Sequence, residues 1–198
     1  MLKNDRWIRE QAALGMIEPF EPRMVRQRYE SGERCLSHGT GSYGYDIRLS
    51  PNDFQVFRYQ PDCVINPKRF SESRSLEPAK LQSDADGMFY VLPAHSYGLG
   101  IALERLCVTG NITVICLGKS TYARSGIIAN ITPAEAGWRG HLTLEFSNCS
   151  PCDCRLYVFE GICQLLFFEG DPCETTYNNR DGGGKYQDQP QQIVLPKV

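Results

Sequence analysis

Histidine is scarce in this sequence: three occur among 198 residues, His38, His95 and His141. None of them begins a His-x-Glu pair, and Pro151-Cys152-Asp153-Cys154 is one residue short of Pro-Cys-x-x-Cys. The two halves of a familiar hydrolytic zinc signature are therefore missing, and that cluster reads as loop cysteines without metal. An excess of one charge is also missing. Lys+Arg 21 against Asp+Glu 23 gives a formal net charge of -2 and a pI near 5.9, so no nucleic-acid partner is expected. No uninterrupted apolar run reaches membrane-spanning length, and no membrane partner is expected either. Lys3, Asp5, Arg6, Arg9 and Glu10 crowd the start, which is unlike a secretory leader. The nine cysteines are odd in number, and Cys107, Cys116 and Cys163 lie in apolar runs. That suits reduced thiols in the cytoplasm rather than a disulfide framework.

What is present is strand material. Residues 112–117, 88–92, 97–103, 155–159 and 162–168 are β-branched or apolar runs separated by Gly and Pro, with no internal repeat. Many short strands at regular spacing predict a mostly β fold, a β-sandwich or distorted jelly roll with a few short helices. A helix is predicted over 5–14, capped by Asp5 and stopped at Gly15, with Trp7, Ile8, Gln11 and Ala12 on one packing face. Residues 16–34 carry little periodic signal. Tyr43, Tyr45, Ile47 and Leu49 alternate with Gly44, Asp46 and Arg48, which predicts a strand with one buried face; on the other, Asp46 and Arg48 suit a structural ion pair. Residues 51–86 read as short strands and polar loops, with 71–75 a mobile connection. Beyond 171, Gly182-Gly183-Gly184 and a Gln- and Pro-rich end cannot bury enough surface to fold alone, so 171–198 reads as a flexible C-terminal tail on a single domain spanning 1–198.

The segment 118–145 concentrates chemistry. Gly118 breaks the preceding strand, and Ser120 or Thr121 can cap a short helix ending at Gly126. The amides of such a helix start, with Lys119 beside them, suit an anion such as phosphate. Ser120 and Arg124 lie four apart and share one helix face. Downstream, His141, Thr143, Glu145 and Ser147 alternate with Leu142, Leu144 and Phe146, so a strand leaves Glu145 on its polar face. Gly118-Lys119-Ser120-Thr121 copies the end of a phosphate-binding P-loop, but Thr113 stands where that motif needs glycine. Taken singly, Glu145 reads as a surface carboxylate and Arg124 as a solvated charge.

Together the motifs carry more. Gly118-Lys119-Ser120-Thr121-Tyr122-Ala123-Arg124-Ser125-Gly126, Ala136-Gly137-Trp138-Arg139-Gly140 and Leu142-Thr143-Leu144-Glu145 resemble the dCTP deaminase family of the trimeric dUTPase-like superfamily. So do residues 41–49, Glu160-Gly161-Ile162-Cys163-Gln164, and the tail Tyr177…Arg180…Lys185-Tyr186-Gln187-Asp188-Gln189. The resemblance implies a dUTPase-like domain whose tail closes over the nucleotide. It implies a homotrimer with shared sites, Ser120 and Arg124 coming from one subunit and Glu145 from its neighbour. It further implies dCTP as substrate, dTTP as feedback inhibitor, and a place on the pyrimidine route to dTTP.

By the same resemblance, Glu145 is the proton shuttle, Ser120 helps hold the attacking water and Arg124 supports that network. Residues 119–124 (Lys119, Ser120, Thr121, Tyr122, Ala123, Arg124) hold the triphosphate, and backbone at 130–133, including Thr132, meets the base. Glu135, Thr143, Leu144, Gln164 and Tyr177 complete the nucleotide site, while Lys185 and Gln189 reach phosphate oxygens and the 43–49 strand lies nearby. Mg2+ is expected with the triphosphate, held by phosphate oxygens and water, without a protein ligand and without zinc. The expected reaction is hydrolysis of dCTP to dUTP and ammonia. A bifunctional deaminase–diphosphatase giving dUMP is the alternative. Its relatives carry aspartate where Glu135 stands, and several members carry alanine at Pro133. A second alternative is a nucleotide-sensing trimer without turnover, although binding phosphate alone would not need Glu145.

Overall fold

Helix α1 (Asp5–Ala12) opens the computed structural model, which describes residues 1–58, 60–73 and 75–198, with the backbone alone for 71–73. Its cap is Asn4 rather than Asp5. Asn4 holds the extended backbone a cap needs, and its side chain accepts from the Trp7 amide at 3.1 Å. Asp5, one residue inside, pairs instead with Arg9 at 2.7 Å. The chain leaves the helix through Gly15 at φ 87, a conformation glycine adopts without strain. Ile8 is wholly buried, and Trp7 packs on Phe167 at 5.9 Å.

The strands follow in order: β1 (Ile17–Glu18), β2 (Met24–Gln27), β3 (Arg34–Gly41), β4 (Gly44–Phe57), β5 (Leu76–Pro78), β6 (Gln82–Asp84), β7 (Gly87–Leu92), β8 (Tyr97–Cys107), β9 (Ile112–Gly118), β10 (Ile127–Ala129), β11 (Arg139–Asn148), β12 (Cys154–Tyr157) and β13 (Gly161–Glu169). Helix α2 (Ser120–Arg124) lies between β9 and β10. All the ladders are antiparallel, which is the expected mostly β architecture realised as a curled sheet. A small sheet, β12-β7-β6, lies apart from the main one.

Strand β4 organises the main sheet. Its first residues pair with β3 and β13, with Asp46 opposite both Gly39 and Gln164. From Leu49 onward it pairs with β8, and near its end with β5. One strand thus belongs to both halves of the fold. The register shifts between Leu49 and Phe54, and Pro51, which has no N–H to offer a ladder, falls in that gap. Gly98 and Gly100 on β8 leave room there: a Cβ on Gly100 would stand 2.8 Å from a Leu49 methyl, and one on Gly98 3.0 Å from the Phe54 ring.

The 43–49 alternation is met with two corrections. Tyr45, Ile47 and Leu49 are buried, but Tyr43 sits exposed in the turn before β4. Asp46 and Arg48 do not pair with each other, because both faces of this strand are covered and each charge finds a partner there. Arg48 Nε donates to Glu104 Oε1 at 2.6 Å and its amide to Oε2 at 2.8 Å. Glu104 is wholly buried, and burial holds its carboxyl above the ordinary carboxylate range against the pull of Arg48. The predicted strand at 155–159 ends at Tyr157, since Phe159 turns to φ 62. In the 71–75 connection, 71–73 belong to a 3-10 segment, Arg74 lies outside the described residues, and Ser75 is buried.

Candidate active site

Strand β11 sets the site. Leu144 and Phe146 enter the core, while Thr143 and Glu145 face the other way, beside Leu99 and Tyr97 of β8. A register shift between His141 and Thr143 turns Leu142 to the same side. These residues floor a cleft of about 570 Å³. Its walls are largely apolar: Phe57, Phe70, Ile131, Pro133 and Trp138. Thr132, Glu135, Thr143 and Glu145 bring polar groups into it, and Tyr177, Tyr186 and Gln189 close one side from the tail.

Glu145 is the unusual group. Its Oε2 is buried and has no hydrogen-bond partner. Burial pushes its carboxyl up to about 7, opposed only by its own backbone. The Tyr97 phenol is raised as well, by burial and by the charge on Glu145. A carboxylate that titrates near neutrality in an apolar cleft can take a proton from water and return it. Its backbone carbonyl accepts from Asn130 at 2.9 Å, which ties the 130–134 loop to β11. Ala134 fixes the far end of that loop by paired bonds of 2.9 Å with Val114.

Helix α2 forms a second cluster. Its cap residue is Lys119, not Ser120 or Thr121, and no side chain caps it. The Lys119 amine goes instead to the buried Asp46 carboxylate at 2.5 Å, and Gln164 donates to the other Asp46 oxygen at 3.0 Å. Lys119, just before α2, and Gln164 of β13 are thus tied to one carboxylate on β4, which explains why Asp46 needs no pair with Arg48. Ser120, Thr121, Ala123 and Arg124 are exposed, and Arg124 donates back to the Ser120 carbonyl at 3.1 Å. Tyr122 turns inward, its phenol accepting from the Tyr157 amide at 2.9 Å.

Within one chain the cleft therefore gathers Glu145, Thr143, Thr132, Glu135, Tyr177 and Gln189. Ser120, Thr121 and Arg124 are not among its described walls. Tyr122 and Leu144 spend their side chains in the core, leaving only backbone to a ligand. Lys185 is exposed and lies outside the described walls.

The tail is laid along the turn that precedes β11. Tyr177 donates its amide to Ala136 O at 2.8 Å, Gln187 Nε2 to Gly137 O at 3.3 Å, and Trp138 Nε1 to Tyr186 O at 2.8 Å. Asp188 donates its amide to Arg139 O at 2.9 Å, and His141 donates to Gln189 O at 3.1 Å. Thr143 Oγ1 donates to Gln189 Oε1 at 2.9 Å. Gly140 permits this: a Cβ there would stand 2.5 Å from the Gln189 amide nitrogen. Glu135 is held by Arg180, whose Nη1 donates to Oε1 at 3.1 Å.

Sequence reasoning missed Asp46 as the anchor of Lys119, and it missed Tyr97, Phe57 and Phe70 as cleft walls. Trp138 and Tyr186 were visible only as letters in motifs. The available signal was the indole N–H beside two glycines, since a buried tryptophan needs an acceptor that close backbone approach can supply.

Comparison with known proteins identifies the family. Residues 2–170 match the family model described as dCTP deaminase-like. The dCTP deaminase of a Polaromonas species is 47% identical over 199 residues, covering 100% of this chain and 99% of that protein. The dCTP deaminase of Nitrosomonas europaea is 45% identical with the same coverage, and that of Acidobacterium capsulatum is 47% identical over 198 residues, again covering 100% and 99%. Among solved structures, the 2'-deoxycytidine 5'-triphosphate deaminase of Agrobacterium tumefaciens superposes with a TM-score of 0.54 at 17% identity. It covers 85% of this chain and 48% of that one, a likeness of fold alone.

Proposed function

The chain belongs to the dCTP deaminase-like family and deaminates dCTP, and we propose that it does so without zinc, releasing dUTP and ammonia. The observation that carries the mechanism is Glu145, a buried carboxylate with an unpartnered oxygen and a proton affinity centred near 7. Glu145 takes a proton from water as the oxygen attacks C4 of the cytosine ring. It delivers that proton to N3, then carries the proton of the new C4 hydroxyl to the amino nitrogen, so that the C4–N bond breaks as ammonia leaves and C4=O forms. One water is consumed for each dCTP.

General base catalysis alone supplies roughly 10² to 10⁴ in rate, so fixed donors around the tetrahedral centre must add the remainder. Backbone at 130–133 meets the base, and Thr143 and Leu144 border the nucleotide. Lys119, anchored by Asp46, and the neighbouring residues through Arg124 hold the triphosphate. Ser120 positions the water and Arg124 supports the same network. Both face solvent in the single chain, which is the arrangement expected if they serve a neighbour's Glu145 in a homotrimer. Tyr177, Lys185 and Gln189 close the tail over the nucleotide.

Magnesium accompanies the triphosphate. The ion would be held by phosphate oxygens and water. It balances phosphate charge, while the chain's residues perform the proton transfers. Product dUTP feeds the route to dTTP, and dTTP, sharing the triphosphate and pyrimidine, inhibits by occupying the same site. The setting we assign is cytoplasmic, which suits thiols placed in apolar strands such as Cys116 and Cys163. Among the described residues no helix is long and apolar enough to cross a membrane.

The test is a single incubation with dCTP and magnesium, with a zinc-selective chelator present. The expected result is equimolar dUTP and ammonia. Activity lost to the chelator and restored by zinc would overturn the zinc-free mechanism.

A further inference from the structure

We propose that Arg139 and Asp188 are a positioning pair that fixes Gln189 over the cleft and so sets the affinity for the nucleotide. The proposal rests on the reading above, in which the tail closes over dCTP.

Asp188 is joined to Arg139 three times. Its amide donates to the Arg139 carbonyl at 2.9 Å, Arg139 Nη2 donates to Oδ2 at 3.1 Å, and Arg139 Nε donates to Oδ1. The two side-chain bonds make the planar guanidinium–carboxylate fork that fixes orientation as well as distance. Arg139 holds the Asp188 carboxyl below the usual carboxylate range. The backbone of Asp188 is left-handed, φ 55, a conformation that costs most side chains energy. That kink delivers the next residue: the Gln189 carbonyl meets the His141 amide, and its side chain meets Thr143 Oγ1 at 2.9 Å. Thr143 is two residues from Glu145 on the same face of β11. The fork therefore lies outside the cleft, and the residue it orients lies inside.

Both side chains are about half exposed, so the fork contributes modestly to global stability. Closing a tail is a smaller event than folding a domain, and the same modest energy decides a larger share of it. A structural role would lower the melting temperature. A positioning role raises KM for dCTP and leaves kcat.

The experiment compares Arg139→Gln, Asp188→Asn and the double variant with the wild type. Asparagine tolerates the left-handed backbone, so Asp188→Asn removes charge without adding strain. Each single variant is expected to raise KM about two- to fivefold, the range of exposed ion pairs with good geometry, at unchanged kcat. The double variant should cost no more than either single one, because the two residues act through one contact. The ratio of variant to wild-type KM should shrink toward one as salt is raised toward 1 M, where the screening length is about 3 Å. Amide hydrogen exchange without nucleotide should speed at Asp188 and His141 in the variants. Unchanged exchange, unchanged KM or additive effects would each overturn the proposal. Exchange is measured with no substrate, so it tests the pair even if dCTP turnover itself were absent, an outcome that would instead sink the assigned reaction.

Discussion

Glu145 and Leu99 are direct partners across the β11–β8 ladder. A carboxylate here faces an isobutyl group where a stable sheet would offer a cation or water. Replacing Glu145 by Gln keeps the shape and removes the base, so turnover should fall by at least about 10² while dCTP still binds. Steady-state kinetics with a binding isotherm would check this, and near-normal kcat would move the base elsewhere.

The same carboxylate sets a pH dependence. Its folded value of about 7 lies above the ordinary 4.5, so the native state holds the proton more tightly than the unfolded chain does. Stability is then lost as pH rises from about 4.5 through 7. Glu145→Gln should melt higher than wild type at pH 8, by on the order of a few degrees, and the gap should close near pH 4. In the wild type, kcat/KM should rise with pH through about 7 as Glu145 ionises. An acid limb well below 7 would report a cation beside Glu145 in the assembled protein.

Product identity follows from Glu135. It is one methylene longer than the aspartate that the resemblance implies for diphosphatases, and its two oxygens are taken by Arg180. Pyrophosphate should therefore stay far below the dUTP formed, as read by a coupled phosphate assay with pyrophosphatase. Stoichiometric pyrophosphate would overturn the single-product reading.

Cutting the chain after Asp181 removes Tyr186 and Gln189 from the cleft wall but none of the named strands. Circular dichroism should show the sheet intact, with KM for dCTP raised about tenfold or more, since several tail contacts are lost together. An unchanged KM would mean that the docked tail plays no part in binding.

Arg124→Ala and Glu145→Gln should each be inactive alone. Under the proposed shared-site trimer, refolding the two together should restore both groups at about a quarter of the sites, because each site would draw on two members of a closed ring. Persistent inactivity, with mixed assemblies confirmed by mass, would place both residues in one subunit's site.

Much of this was legible along the chain. The run at 112–117, the break at Gly118 and the 141–147 alternation fixed β9, α2 and β11 because local periodicity states which face is buried. Glu145 was legible as a polar-face residue, but its lack of a partner was not, since that depends on β8 and the aromatic walls. The Lys119–Asp46 link joins residues 73 apart, and no local pattern encodes it. Asn4 displaced Asp5 as cap because both can serve, and only the entry angle of the chain chooses. The tail was compositionally indistinct from a free segment. What docks it is a mixture of backbone and side-chain hydrogen bonds to residues 135–143, partners distant along the chain that composition does not record.

The two-sided pairing of β4 also bears on how the chain is made. Asp46 waits for Gln164, and Tyr45 for Leu165, so a strand finished early in translation cannot complete its ladder until nearly the whole chain has left the ribosome. The half that pairs with β8 can close earlier, whereas the half that runs through β13 to β9 closes only when β13 arrives. The nascent chain consequently spends most of its synthesis with an apolar strand edge unpaired, the condition in which growing β proteins most need a chaperone.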